Sequence, residues 1–335
     1  MEFRQLGRTN YKVSVIGFGG IPIQRLEEKE AIELIKTAQG EGINFIDTAR
    51  GYANSEVLIG KAMEGMRDSW IIATKSLARD DQGMKADIEI SLKNLRSNTI
   101  DLYQLHQVKS KEVYDQVMGP NGAYGALKEA QLEGKIKKIG ITSHDLGVLE
   151  MAIETDFFST IQFPYNIVER HGEKLFQRAK ERNIGVIIMK PLAGGAIREG
   201  ELALRFIVEN PNISVVIPGI DHMDQVFENS RIGQEKIPLN KEERQHLEKL
   251  QKELGNTFCR RCGYCLPCPQ EIDIPAQFLL EGYYTRYDLQ DWAVERYQGQ
   301  SIKASDCIKC GKCEPRCPYD LPIRHMLEQV GSCFK

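Results

Sequence analysis

The sequence predicts an α/β protein in two parts: a (β/α)8 TIM barrel followed by a small, mainly helical module organised around cysteine. Three observations lead there. Eight short β-rich runs alternate with longer stretches of helical period over about the first 250 residues, the size of such a barrel. Several of those runs are almost continuously apolar, as strands covered on both faces are. And all nine cysteines lie at or beyond Cys259.

Taken in order, residues 1–14 read as a hairpin with Gly7-Arg8-Thr9-Asn10 as its turn, placed to plug the N-terminal end of the barrel. The strand runs are 13–18, 44–47, 70–75, 101–106, 138–142, 160–163, 185–189 and 214–217. Apolar faces at helical spacing lie between them: Ala31, Ile32, Leu34, Ile35 and Ala38 in one, Ile88, Leu92 and Leu95 in another, Leu202, Phe206 and Ile207 in a third. A doubly wound sheet is the rival, which periodicity alone does not exclude. Gly17-Phe18-Gly19-Gly20 reads as a tight loop at the barrel rim, because the sixth position of a dinucleotide fingerprint would be Pro22. Residues 240–254, with Leu247, Leu250 and Leu254 among charges, read as an exposed linking helix. The expected division is a barrel over 1–254 and a cysteine domain over 255–335, with helical stretches at 277–282 and 288–297.

Eight of the cysteines form two runs, Cys259-x-x-Cys262-x-x-Cys265-x-x-Cys268-Pro269 and Cys307-x-x-Cys310-x-x-Cys313-x-x-x-Cys317-Pro318. Thiolates at every third residue closed by Cys-Pro match the ligand pattern of ferredoxin-type [4Fe–4S] clusters. Zinc sites pair two knuckles well separated in sequence, which fits less well. In two-cluster ferredoxins the fourth cysteine of each run serves the other cluster. By that rule one cluster takes Cys259, Cys262, Cys265 and Cys317, and the other Cys307, Cys310, Cys313 and Cys268. Cys333 is left as a plain thiol. The neighbouring Arg260, Arg261 and Arg324 would temper the negative charge of the clusters.

A net charge of -3 gives no reason to expect nucleic acid or an anionic membrane as partner. No apolar run is long enough to span a bilayer, and Met1-Glu2-Phe3-Arg4-Gln5 lacks a signal core, so the expected location is the cytoplasm.

In a barrel the chemistry belongs at the C-terminal strand ends. Those ends carry Asp47, Lys75 and His106, with Tyr52 in the loop after the second strand. Tyrosine is a weak acid, with a pKa of about 10. A nearby ammonium such as Lys75 stabilises the phenolate and lowers that value. Asp47 would hold the lysine charged, and His106 would bond and orient a carbonyl oxygen.

With Ile46-Asp47-Thr48-Ala49 and Tyr52, Ala73-Thr74-Lys75, and Asp101-Leu102-Tyr103-Gln104-Leu105-His106, the chain resembles the aldo-keto reductases over essentially its whole length, and within them the subgroup with a C-terminal iron–sulfur extension. The resemblance implies hydride transfer from NAD(P)H to a carbonyl with Asp47, Tyr52, Lys75 and His106 catalytic. It implies cofactor contacts at Thr142, Ser143, Gln162, Met189, Pro191, Leu192, Gly219, Gln225 and Asn229. The chain departs from the family where Ser143 stands for a common asparagine and Met189 for a ring-stacking tyrosine. The stretch after the eighth strand, 217–225, holds Asp221 and Asp224 and no Lys or Arg. NADH and NADPH both stay open, and the two carboxylates tilt the choice toward NADH.

Two functions follow. The first is an NAD(P)H-dependent reductase of a small aldehyde or ketone, whose clusters are structural, redox-sensing or electron-carrying. The second is an electron-transfer protein whose tail exchanges electrons with a redox partner such as a ferredoxin, the barrel being accessory. Neither substrate identity nor oligomeric state is written in the sequence.

Overall fold

The computed structural model describes residues 1–255, 259–261, 263–287, 289–317 and 319–334. The chain forms two compact units. One comprises Met1–Asn166, Arg170–Pro191 and Glu201–Leu239; the other comprises Ile167–Glu169, Leu192–Gly200 and Asn240–Lys335.

The first unit opens with a hairpin of β1 (Phe3–Gln5) against β2 (Lys12–Ser14), Phe3 opposite Ser14. Asn10 turns the chain at a φ of 68°, in the left-handed region that asparagine tolerates. Val13 and Ser14 therefore belong to the hairpin and not to the first barrel strand. Eight parallel strands follow: β3 (Phe18–Gly19), β4 (Phe45–Asp47), β5 (Ile71–Ser76), β6 (Ile100–Leu105), β7 (Ile136–Thr142), β8 (Thr160–Pro164), β9 (Gly185–Met189) and β10 (Val215–Val216). Their spatial order is their chain order.

The ring closes between β3 and β10. The Gly17 N–H donates to Val216 O at 2.8 Å and the Gly19 N–H to Pro218 O at 2.8 Å. Gly19 also bridges Gly219 in parallel. A Cβ built on Gly19 would sit 2.6 Å from the Pro218 carbonyl oxygen. The glycine run is thus the seam of the barrel rather than a rim loop, because only a residue without a side chain lets the backbones approach this closely.

Between the strands run α1 (Glu28–Gly40), α2 (Ser55–Ala62), α3 (Asp81–Asn94), α4 (Lys111–Met118), α5 (Ala123–Leu132), α6 (Leu146–Ile153), α7 (Glu173–Glu181), α8 (Gly200–Val208) and α9 (Met223–Glu235). Side-chain caps fix several starts. Asp80 accepts from Gly83 N–H at 2.8 Å, and Asp145 from Val148 N–H at 2.9 Å. The apolar stripe of α1 buries Ala31, Leu34, Ile35 and Ala38, as its period requires.

Inside the ring, Leu6 and Val13 of the hairpin region pack with Phe45, Ala73, Leu102, Ile187 and Val215. This apolar layer is the predicted plug. Strand side chains repeat on one face every second residue. Asp47, Lys75 and Gln104 therefore follow Phe45, Ala73 and Leu102 on the inner face, toward the C-terminal ends.

The second unit contains α10 (Lys241–Gly255), α11 (Ile274–Arg286), α12 (Gln290–Gln298) and α13 (Ile323–Cys333). The helix read at 288–297 starts at Gln290, and Asp288 lies outside the described residues. Ile272, Ile274, Phe278, Leu280, Leu321, Ile323, Leu327 and Val330 form its core, with Cys265 buried among them. Among the described residues no helix is long and apolar enough to cross a membrane.

Candidate active site and cysteine centre

At the C-terminal ends of β4, β5 and β6, three neighbouring strands deliver Asp47, Lys75 and His106 to one place. Lys75 is 1% exposed and Asp47 3%. The Lys75 Nζ donates to Asp47 Oδ1 at 2.5 Å and to the Thr48 carbonyl at 2.8 Å. Gln104 Nε2 donates to Asp47 Oδ2 at 3.2 Å, and the Gln162 amide donates to the same carboxylate. Burial pushes the Lys75 ammonium below its usual range, against the pull of Asp47. Burial likewise pushes the Asp47 carboxyl up, against the ammonium and the two amides. Burial thus works against both charges, while each partner favours the charged form of the other.

The Lys75 Nζ lies 5.0 Å from the centroid of the Tyr52 ring. The His106 imidazole stands edge-on to that ring at 6.1 Å. Tyr52 itself is half-buried. Burial, and then the charges of Lys75, Arg79 and Lys190, hold His106 well below its usual 6.5. It is therefore a neutral imidazole near pH 7, a hydrogen-bonding group rather than a cation. Around it the chain takes unusual backbone shapes. Ala53 (φ 38°), Gln107 (φ 51°) and Lys190 (φ 56°) sit in the left-handed region just beyond β4, β6 and β9. Non-glycine residues held so are characteristic of functional loops.

The other expected contacts are more varied. Gln162 is buried, and its Oε1 has no partner among the described residues. Thr142 Oγ1 accepts from the Gln107 N–H at 2.9 Å. The Ser143 hydroxyl donates to Val108 O at 2.6 Å and accepts from the Asp145 N–H at 2.9 Å. Gln225 Oε1 accepts from the Asp221 N–H at 2.8 Å, so it ties its own loop. Asp221 pairs with Arg25, which compensates its charge. Met189 is half-buried, Pro191 and Asn229 are buried, and Gly219 abuts Pro22, whose Cγ lies 2.7 Å from where a Cβ would be. Leu192 falls in the second compact unit.

Three residues escaped the sequence reading. Gln104 shares the inner face with His106 two residues on, and a polar residue among apolar neighbours was a usable signal. Glu56 is buried and accepts from Thr74 Oγ1 and Ser91 Oγ at 2.8 Å each, and from Arg50 Nη1 at 3.0 Å. Arg79 Nη2 donates to the Gln107 carbonyl at 2.9 Å. Neither Glu56 nor Arg79 carries a periodic or motif signal.

In the second unit, Cys265, Cys268, Cys307, Cys310 and Cys313 line one pocket with Ile274, Leu327 and Arg324. The two cysteine runs repeat one backbone pattern. Arg261 (φ 57°) and Gly263 (φ 82°) flank position 262, as Lys309 (φ 56°) and Gly311 (φ 74°) flank Cys310. Glu271 (φ 55°) and Asp320 (φ 51°) each stand three residues beyond the last cysteine of a run. Alternating left-handed residues turn successive N–H groups toward one side, a shape that suits anionic clusters. The Arg261 N–H already donates to Cys259 Sγ at 3.4 Å. The predicted ligand Cys262 lies outside the described residues. Among the described residues, no three His, Cys, Asp or Glu side chains close on a single-ion site.

Residues 15–201, over half of the chain, match the family model described as the aldo/keto reductase family. The chain belongs to that family. Residues 258–322 match the 4Fe-4S dicluster domain, so this family member carries a C-terminal iron–sulfur domain. The chain is 30% identical over 233 residues to the aldo-keto reductase YhdN of Bacillus subtilis, covering 64% of this chain and 68% of that protein. It is 27% identical over 281 residues to the L-galactose dehydrogenase of Arabidopsis thaliana, covering 68% and 87%. In structure it is similar to the holo form of an aldo-keto reductase from Bacillus halodurans, with a TM-score of 0.65 and 27% identity over 75% of this chain and 96% of that one. It is thus an oxidoreductase by family, built for small molecules.

Proposed function

We propose that the chain is an NAD(P)H-dependent carbonyl reductase in which Tyr52 is the proton donor. The carrying observation is the Lys75 ammonium, held at 2.5 Å by Asp47 and 5.0 Å from the Tyr52 ring centroid. A cation at that range stabilises phenolate over phenol, so the hydroxyl gives up its proton more readily. Neutral His106 donates a hydrogen bond to the carbonyl oxygen and orients it. Bound nicotinamide would supply the hydride. The Oε1 of Gln162, without a partner among the described residues, is an acceptor suited to the carboxamide, and Thr142, Ser143, Met189, Pro191, Leu192, Gly219, Gln225 and Asn229 are the further contacts we assign.

In the tail, Cys307, Cys310, Cys313 and Cys268 would hold one [4Fe–4S] cluster, and Cys259, Cys262, Cys265 and Cys317 a second. Cys268, Cys307, Cys310 and Cys313 all line one pocket, as the first set requires, and Cys265 of the second set borders it too. Such clusters would move single electrons, either as a sensor or in exchange with a ferredoxin-type partner.

The test is Tyr52→Phe, assayed anaerobically with NADH and NADPH against a panel of aldehydes and ketones. Loss of turnover with unchanged visible absorbance of the clusters supports a hydride-transfer barrel. Unchanged turnover in Tyr52→Phe sinks it.

A further inference from the structure

Resting on that reading of the barrel, the surroundings of His106 name a class of substrate. The loop after β5 carries Arg79, which is half-buried. One guanidinium nitrogen, Nη2, is spent on the Gln107 carbonyl at 2.9 Å, the residue next to His106. The other, Nη1, is buried and meets no acceptor among the described residues. Among the described residues no carboxylate stands against it either: burial accounts for the lowered basicity of Arg79. Lys190, at the end of β9, adds a second positive charge felt at His106. The Lys75 charge is paired with Asp47 at 2.5 Å.

A buried N–H of a guanidinium without an acceptor is costly, so an acceptor brought to it from outside the chain would be bound favourably. The acceptor that fits best is an ionised oxygen, because a charge-assisted bond to arginine is about twice as strong as a neutral one. We propose that Arg79 is the anchor for a carboxylate on the substrate, so that this barrel reduces oxo acids: His106 and Tyr52 hold the carbonyl oxygen while Arg79 Nη1 holds the acid. The reaction stays balanced as before. Hydride from the nicotinamide enters the carbonyl carbon, the Tyr52 proton enters the oxygen, and the carboxylate is unchanged.

The experiment compares benzoylformate with its methyl ester, one ketone with and without the charge, in the purified full chain and in Arg79→Gln and Arg79→Lys. The expected result is a preference of the native protein for the acid. In Arg79→Gln the acid-to-ester ratio of kcat/KM falls by about 10- to 100-fold, the range for a hydrogen bond to a charged group, mainly through KM. Arg79→Lys, which keeps the charge but not the fork, recovers part of it. A native protein that favours the ester, or a ratio unmoved in Arg79→Gln, overturns the assignment while leaving carbonyl reduction standing. If neither ketone is reduced, the reductase reading fails, and calorimetric titration with benzoate and benzamide still decides this one. Tighter binding of benzoate, lost in Arg79→Gln, upholds the anion site. Equal binding of the two by the native protein removes it, whether or not the variant folds.

Discussion

Replacing Lys75 by methionine tests the buried pair at the centre of the site. The substitution keeps an unbranched apolar stem but deletes the ammonium that donates to Asp47 at 2.5 Å and to Thr48 O at 2.8 Å. Asp47 then remains 3% exposed with only the amides of Gln104 and Gln162 for company. Removing one member of a buried ion pair costs about 3–5 kcal/mol, because the other charge stays desolvated. Burial already raises the Asp47 carboxyl from 3.8, and without Lys75 it rises further. A raised carboxyl lends stability that is complete below its unfolded value and is lost as pH climbs through its folded value. The penalty is therefore smallest in acid and grows as pH climbs from 3.8 toward the raised folded value, by up to about 1.4 kcal/mol per pH unit within that window. Asp47→Asn combined with Lys75→Met recovers much of the loss, since the uncompensated charge is gone. Urea unfolding followed by fluorescence in a Trp292→Phe background would read the barrel through buried Trp70, the other tryptophan of the chain. A Lys75→Met penalty under about 1 kcal/mol, the value of a surface pair, and flat with pH would refute the reasoning.

Three further outcomes are expected. His106 resists protonation when folded, whereas the unfolded chain binds a proton there below about 6.5. Stability should then fall as pH drops beneath that value, and His106→Gln should flatten the slope; parallel curves for the two proteins would contradict it. Gly19→Ala would push a methyl to 2.6 Å from the Pro218 carbonyl, so the ring cannot close without backbone movement. The expectation is a loss of about 1–3 kcal/mol or more, checked by thermal unfolding, and an unshifted midpoint would count against the seam. Cys310→Ser should remove about four of about eight irons per chain as purified anaerobically, and Cys333→Ser none; equal iron in the two variants would argue against the ligand sets.

The barrel was legible because its strands are apolar runs of fixed length and its site residues fall at strand ends in chain order. Asp47, Lys75 and His106 could be found by reading where each run stops. The seam was not legible. Gly17-Phe18-Gly19-Gly20 has the composition of a loop, and its pairing partner lies some 200 residues away at 216–219, beyond any local pattern. Hydroxyl roles were hidden for the same reason. Ser143 stands at an expected cofactor position, yet its bond to Val108 depends on how two loops pack. Arg79 shows the limit most clearly: Leu77-Ala78-Arg79-Asp80 looks like any polar loop, and only burial of one guanidinium nitrogen sets it apart.

The four polar groups of the site come from one contiguous stretch of chain, Asp47 to His106, spanning three adjacent staves of the ring. Among the described residues, the opposite staves reach this cluster through the Gln162 amide on Asp47 and the Lys190 charge felt at His106. The far staves carry the positions assigned above to the nicotinamide, so the arc that would hand over the proton and the arc that would hold the hydride donor are built from separate lengths of chain.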